Sequence, residues 1–68
     1  MVNGKLAHAF GGVFLPLCVM RSAGGFYLGT RDPQDGSPFS RESVEYWTEE
    51  KTAQAALFSG AWTQRDHP

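Results

Sequence analysis

The run from Ser43 to Trp62 limits the possible fold more than any other part of this chain. It reads as a short strand, a capped helix, a glycine stop and a returning tryptophan. Thr48 carries a hydroxyl that can accept from a free amide one turn inward, which is the N-cap role. Glu49 and Glu50 follow in the first turn, where the positive end of the helix dipole favours carboxylates. Ala53, Ala56, Leu57, Gly60 and Ala61 recur at the three- and four-residue spacing of one helix face. A face made mostly of alanine lets a helix lie close on something flat, and a β-sheet is the flat partner. Gly60 suits the left-handed residue just past a helix end, and Trp62 stands where such an ending makes its apolar contact.

The sheet lies upstream. Val13–Arg21 reads as a strand with Val13, Leu15, Leu17 and Val19 on one side and Phe14, Cys18 and Met20 on the other. Both sides are apolar, so both need cover. Pro16 cannot donate a ladder hydrogen bond, which puts the strand at an edge or marks a bulge. Ser22-Ala23-Gly24-Gly25 is a turn. Phe26–Thr30 returns as a second, antiparallel strand, with Phe26 and Leu28 on one side and Tyr27 on the other; Gly29 permits a close backbone approach or a bulge. Arg31–Glu42 is a long polar loop, entered at Asp32-Pro33, with a positive-φ position at Asp35-Gly36 and Phe39 as its anchor on the core. Ser43–Trp47 is the third strand, with Val44 and Tyr46 on one side and Glu45 and Trp47 on the other. The expected fold is α+β: an antiparallel sheet of about three strands with one C-terminal helix on one face, in the order β-β-β-α. Residues 1–68 make a single domain, with 1–8 a loose arm or short edge strand and 63–68 a polar tail.

Size then bears on stability. Sixty-eight residues bury little core, and the lone Cys18 allows no internal disulfide. Self-association is the remaining staple. The two-sided apolar pattern of Val13–Met20 points the same way, because one helix shelters one side only. An apolar edge strand invites a further strand or a partner. A formal charge of −1 gives no bulk attraction to nucleic acid or anionic lipid. The apolar run from Leu6 to Met20 after Lys5 has the outline of a secretory signal, but cleavage near Ala23 would leave about 45 residues without a staple. It is also short of the ~20 apolar residues that span a bilayer. The absence of cysteine pairs fits the cytoplasm.

Catalytic chemistry finds no support. Asp35-Gly36 followed by Glu42 matches the second half of an EF-hand loop, but Arg31 and Pro33 then occupy its first and third ligand positions. Cys18 falls on an apolar strand, unlike the electropositive, exposed surroundings of a reactive thiol, and His8 and His67 lie near the ends. Ser37, Ser40 and Ser43 have no evident base. Asp32, Asp35 and Glu42 share a solvated loop, whereas an acid/base pair needs one carboxyl group in an apolar pocket. No metal or cofactor site is expected.

Two binding readings remain. Phe14, Tyr27, Trp47 and Trp62 are the aromatic candidates for an interface, with Tyr27, Trp47 and Trp62 expected on the face the helix does not cover; aromatic residues concentrate at the energetic centres of interfaces. The alternative is nucleic acid, held by Arg21, Arg31 and Arg41 on the sheet. The pieces Phe26-Tyr27-Leu28-Gly29-Thr30 and Thr48–Ala56 resemble plant AP2-type domains, in which a Leu-Gly-Thr strand end precedes an acidic-capped, alanine-rich helix. The resemblance covers under a quarter of the chain. Here a long loop and a further strand separate the two pieces, and the reading strands lack their arginines. The favoured expectation is a small non-enzymatic interaction protein, a homodimer or an adaptor for another protein, of the size common among accessory proteins of phages and other mobile elements.

Overall fold

The computed structural model describes residues 2–67. Its elements run α1 (Lys5–Gly11), β1 (Cys18–Ser22), β2 (Gly25–Arg31), β3 (Pro38–Arg41) and α2 (Glu50–Ser59). The strands form one antiparallel sheet in the order β1-β2-β3. The architecture is therefore α+β with a C-terminal helix on a three-stranded sheet, and a short N-terminal helix is added to it.

The hairpin follows from its turn chemistry. Val19 faces Leu28 and Met20 faces Tyr27 across β1 and β2, and the strands close at Ser22 and Gly25. The Ser22 hydroxyl accepts from the Gly24 amide and donates to the Gly25 carbonyl. At the far end of β2 the register slips between Thr30 and Arg31. Gly29 is needed just before this slip, because a Cβ there would run into the Ser40 carbonyl oxygen.

Four readings of the sequence need correction. Residues 2–8 are not a loose arm: α1 starts at Lys5, and Leu6 and Ala7 are buried, while Met1 lies outside the described residues. The first strand begins at Cys18 rather than Val13. Upstream of it the chain pairs with the N-terminal segment instead, the Gly4 amide donating to the Leu15 carbonyl and the Leu17 amide to Val2. Pro16, bridged to Asn3, offers no amide to a ladder. The third strand is Pro38–Arg41, not Ser43–Trp47. The Glu42 and Ser43 amides both donate to the one Leu28 carbonyl, at 2.8 and 3.0 Å. The Leu28 amide goes to the Ser43 hydroxyl at 3.0 Å. A side chain has thus replaced a ladder bond and thrown the chain out of register. Only Trp47 rejoins β2, exchanging both backbone bonds with Phe26. Finally, α2 starts one residue late. Its N-cap is Glu49, without a side-chain cap bond, because the chain must first turn away from the sheet after Trp47.

Other expectations hold. The β2–β3 turn is an Asx-type turn: Asp32 accepts from the Gln34 amide and Asp35 from both the amide and the hydroxyl of Ser37. Gly36 has the positive φ its place requires. Gly60 ends α2 in the left-handed region, and its amide closes the helix onto the Ala56 carbonyl. Ala53 and Ala56 are the buried face of α2, with Ala53 against Val19 and Leu28.

Candidate functional site

The most unusual group in the interior is Glu42. Its residue has no solvent exposure at all. Oε1 accepts from the Leu6 amide at 2.9 Å and from the Gln64 side-chain amide at 2.8 Å. Oε2 accepts from the Ala7 amide at 3.1 Å and the Ser40 hydroxyl at 2.6 Å. The Ser40 oxygen in turn lies 2.6 Å from the Thr30 hydroxyl, and Thr30 is also fully buried. Burial alone would raise this carboxyl's pKa. The Leu6 amide, Ser40, Gln64 and the Ala7 amide outweigh that and hold it below the ordinary glutamate value. Glu42 therefore caps α1 from a distant point in the chain, and its backbone carbonyl accepts from the Arg65 amide and Gln64. The expected solvated-loop carboxylate is a buried tie between α1, β3 and the C-terminal segment. Gly4 is part of this fit, since a Cβ there would stand 2.7 Å from Oε2. Among the described residues no cation pairs with this carboxylate. Among the described residues the one ion pair is Lys51 with Glu49, at 3.8 Å.

The four aromatic candidates do not share a surface. Tyr27 is buried on the side of the sheet away from α2, with Tyr46 edge-on to it at 5.9 Å between ring centroids. The Arg41 guanidinium stands 4.1 Å over the Tyr46 ring and also donates to the carbonyls of Ser43 and Val44. Burial, followed by the neighbouring Tyr46 and Cys18, pushes the Tyr27 phenol above its ordinary pKa, against Arg31 and Arg41. On this side of the sheet Met20 of β1 faces Tyr27, and both are buried. Trp47 and Trp62 lie half-buried on the opposite side, packed with Phe26 and Leu57 against Val19, Leu28 and Ala53. Phe14 alone of the four is well exposed, stacked on His8 with 4.3 Å between centroids.

The arginines also diverge. Arg21 lies on the α2 side of the hairpin, 5.7 Å from the Phe26 ring centroid. Arg41 faces Gly29 on the other side, and Arg31 follows Gly29 by two on the same strand. No single surface takes all three. Cys18 is half-buried, its Sγ 3.5 Å from both the Met20 sulfur and the Gly29 carbonyl. It lines a shallow hollow with Leu15, Pro16, Arg31 and Pro33. No group of three or more potential metal-ligating side chains occurs among the described residues.

Besides Phe14, the surface holds apolar rings that the sequence did not assign to an interface. Phe10 is 64%, Phe14 70%, Phe39 42% and Phe58 94% exposed. Phe39 is therefore not a core anchor; it lies against Gly11 at the end of α1, where a Cβ would sit 2.7 Å from its ring. Phe58 projects from α2 beside a cleft of about 340 Å³ between that helix and the N-terminal segment, lined also by Val2, Leu17, Gln54 and Leu57. The one available signal was that Phe58 falls off the alanine stripe. No helix among the described residues is long and apolar enough to cross a membrane. No family model, curated protein or solved structure matches this chain.

Proposed function

We propose that this chain is a small non-enzymatic interaction protein that acts by protein–protein binding and works as a homodimer. One observation carries the reading. Four of the five phenylalanines, Phe10, Phe14, Phe39 and Phe58, are exposed, in a molecule only 29 × 22 × 21 Å across. Phenylalanine is among the residues most often buried, and large open apolar areas mark contact surfaces. The second side of β1 no longer supplies the argument, because Met20 there and Tyr27 opposite it are already buried within the chain. The surplus lies instead at the end of α1 and on α2.

The non-catalytic reading is supported by how the acidic groups are employed. Glu42 ties segments together, Glu45 accepts from the amide and hydroxyl of Thr63, and Asp35 shapes a turn. A single half-buried thiol is the support for a cytoplasmic setting. Sedimentation equilibrium tests the dimer: the expected result is a concentration-dependent dimer at roughly tens of micromolar. A cooperatively folded monomer throughout that range would defeat the homodimer.

A further inference from the structure

We infer that α2 is the self-association surface: two copies pair their α2 helices antiparallel about a two-fold axis, and each Phe58 enters the cleft beside the other's α2. The inference rests on the homodimer reading and gives it a location.

Lys51, Gln54, Ala55 and Phe58 recur every three or four residues on the exposed side of α2, opposite the buried Ala53 and Ala56. This stripe holds a projecting ring and, beside it, a receiving cleft walled by Val2, Leu17 and Leu57. The cleft's ~340 Å³ lies at the small end of volumes that hold organic ligands, so a benzyl group fits. A surface that carries both projection and receptor is self-complementary, which is what a two-fold interface requires. With each Lys51 opposite the other helix's last turn, the axis passes near Gln54 and Ala55 and the two rings flank it. Ala55 between them lets the helices approach closely.

Charge selects the direction. The last turn of α2 contains no basic residue. The carbonyls of Leu57, Phe58 and Ser59 accept no hydrogen bond from any described residue beyond the helix. The negative end of this helix is thus uncompensated. Lys51, in the first turn, is 87% exposed and held only by a loose 3.8 Å contact to Glu49. Antiparallel pairing brings each Lys51 to the open carbonyl end of the other helix, twice over by symmetry. Parallel pairing would set like ends together. A buried phenylalanine removes roughly 150–250 Å² from water, so two rings and the walls they cover approach ~1,000 Å², the lower limit for a specific interface. The dimer is accordingly weak and concentration-dependent.

The test compares four proteins by sedimentation equilibrium, with circular dichroism melts confirming the fold: wild type, Phe58→Asp, Lys51→Glu and Phe14→Asp. Phe58 and Lys51 are exposed, so their variants fold. The expected results are a dissociation constant raised ~10-fold or more by Phe58→Asp, roughly 10-fold by Lys51→Glu, and unchanged by Phe14→Asp. Ala55→Cys in a Cys18→Ser background should oxidise to a covalent dimer. Dimerisation of Phe58→Asp at wild-type strength overturns the inference. If Phe14→Asp alone weakens the dimer, the homodimer stands and its surface is at α1 instead. A monomeric wild type removes both readings, even if some other protein is found to bind at Phe58.

Discussion

Replacing Glu42 by glutamine would test the tie that holds this fold together. The variant keeps the shape of the side chain but removes its charge and turns one acceptor oxygen into a donor. All four partners donate to Glu42. If the new amide nitrogen takes the Oε1 site, it faces the Leu6 amide and the Gln64 amide, both donors. At the Oε2 site it faces the Ala7 amide and the Ser40 hydroxyl, and the hydroxyl can turn to accept. The second arrangement costs less, yet it leaves the Ala7 amide buried and unpaired, at ~1–3 kcal/mol. The two surviving bonds fall from charge-assisted to ordinary strength, about 1 kcal/mol each. The sum is ~3–5 kcal/mol. At roughly 0.05–0.15 kcal/mol per residue, the whole domain has only about 3–10 kcal/mol to lose. Urea unfolding followed by the fluorescence of Trp47 and Trp62 measures the loss, and Glu45→Gln, whose carboxylate sits nearer solvent, should cost ~1 kcal/mol or less by comparison. The folded-state pKa of Glu42 lies below its ordinary 4.5, so its stabilisation is complete above that value and fades as pH falls through the folded one. Wild type should therefore show a Glu42-dependent loss of stability below about pH 4.5 that Glu42→Gln lacks. A loss under ~1 kcal/mol at neutral pH would refute the account of Glu42 as a structural tie.

Two further substitutions probe the neighbouring devices. Ser43→Ala removes the acceptor for the buried Leu28 amide and should lower stability by ~1–3 kcal/mol in the same urea titration; an unchanged midpoint would show that the amide finds another partner. Tyr46→Ala removes the strap over Tyr27 and the perch of Arg41, so the Tyr27 phenol should titrate closer to its ordinary value, followed by ultraviolet difference absorbance, and stability should fall by ~1–2 kcal/mol.

What the sequence disclosed was local. The Ser22–Gly25 turn, the Asx turn at Asp32–Ser37, the alanine face of α2 and the stop at Gly60 are each written in a few adjacent residues, and each appears in the structure. What it concealed depended on distant partners. α1 has no side-chain cap of its own, and its amides are capped by Glu42, with 36 residues separating Glu42 from Leu6. No window around Lys5–Gly11 contains that information. The third strand was misplaced for the same kind of reason. Ser43–Trp47 has strand-like alternation, but Ser43 spends its hydroxyl on Leu28, so the ladder breaks there and the true β3 lies in what read as loop. Among the interface candidates, alternation separated Tyr27 correctly from Phe26 and Leu28. It could not show that Trp47 would turn inward with α2, since that depends on where the chain rejoins Phe26.

These departures share one cause, and it bears on the proposed function. A chain this short has too few buried positions for all its large apolar side chains. It joins its segments through a carboxylate satisfied by backbone amides and small polar groups, and that polar junction occupies interior space. Glu42, Thr30 and Ser43 are inside, while Phe10, Phe14, Phe39 and Phe58 are outside. For folding alone Phe58 would be the easiest of these to make polar, because at 94% exposure it gives the monomer little burial and a polar residue improves solubility. The proposed dimer would give these rings a use that the monomer's own stability does not. Phe58→Asp separates the two explanations: it should leave the melting temperature of dilute protein within about a degree or two of wild type while weakening association ~10-fold or more at higher concentration.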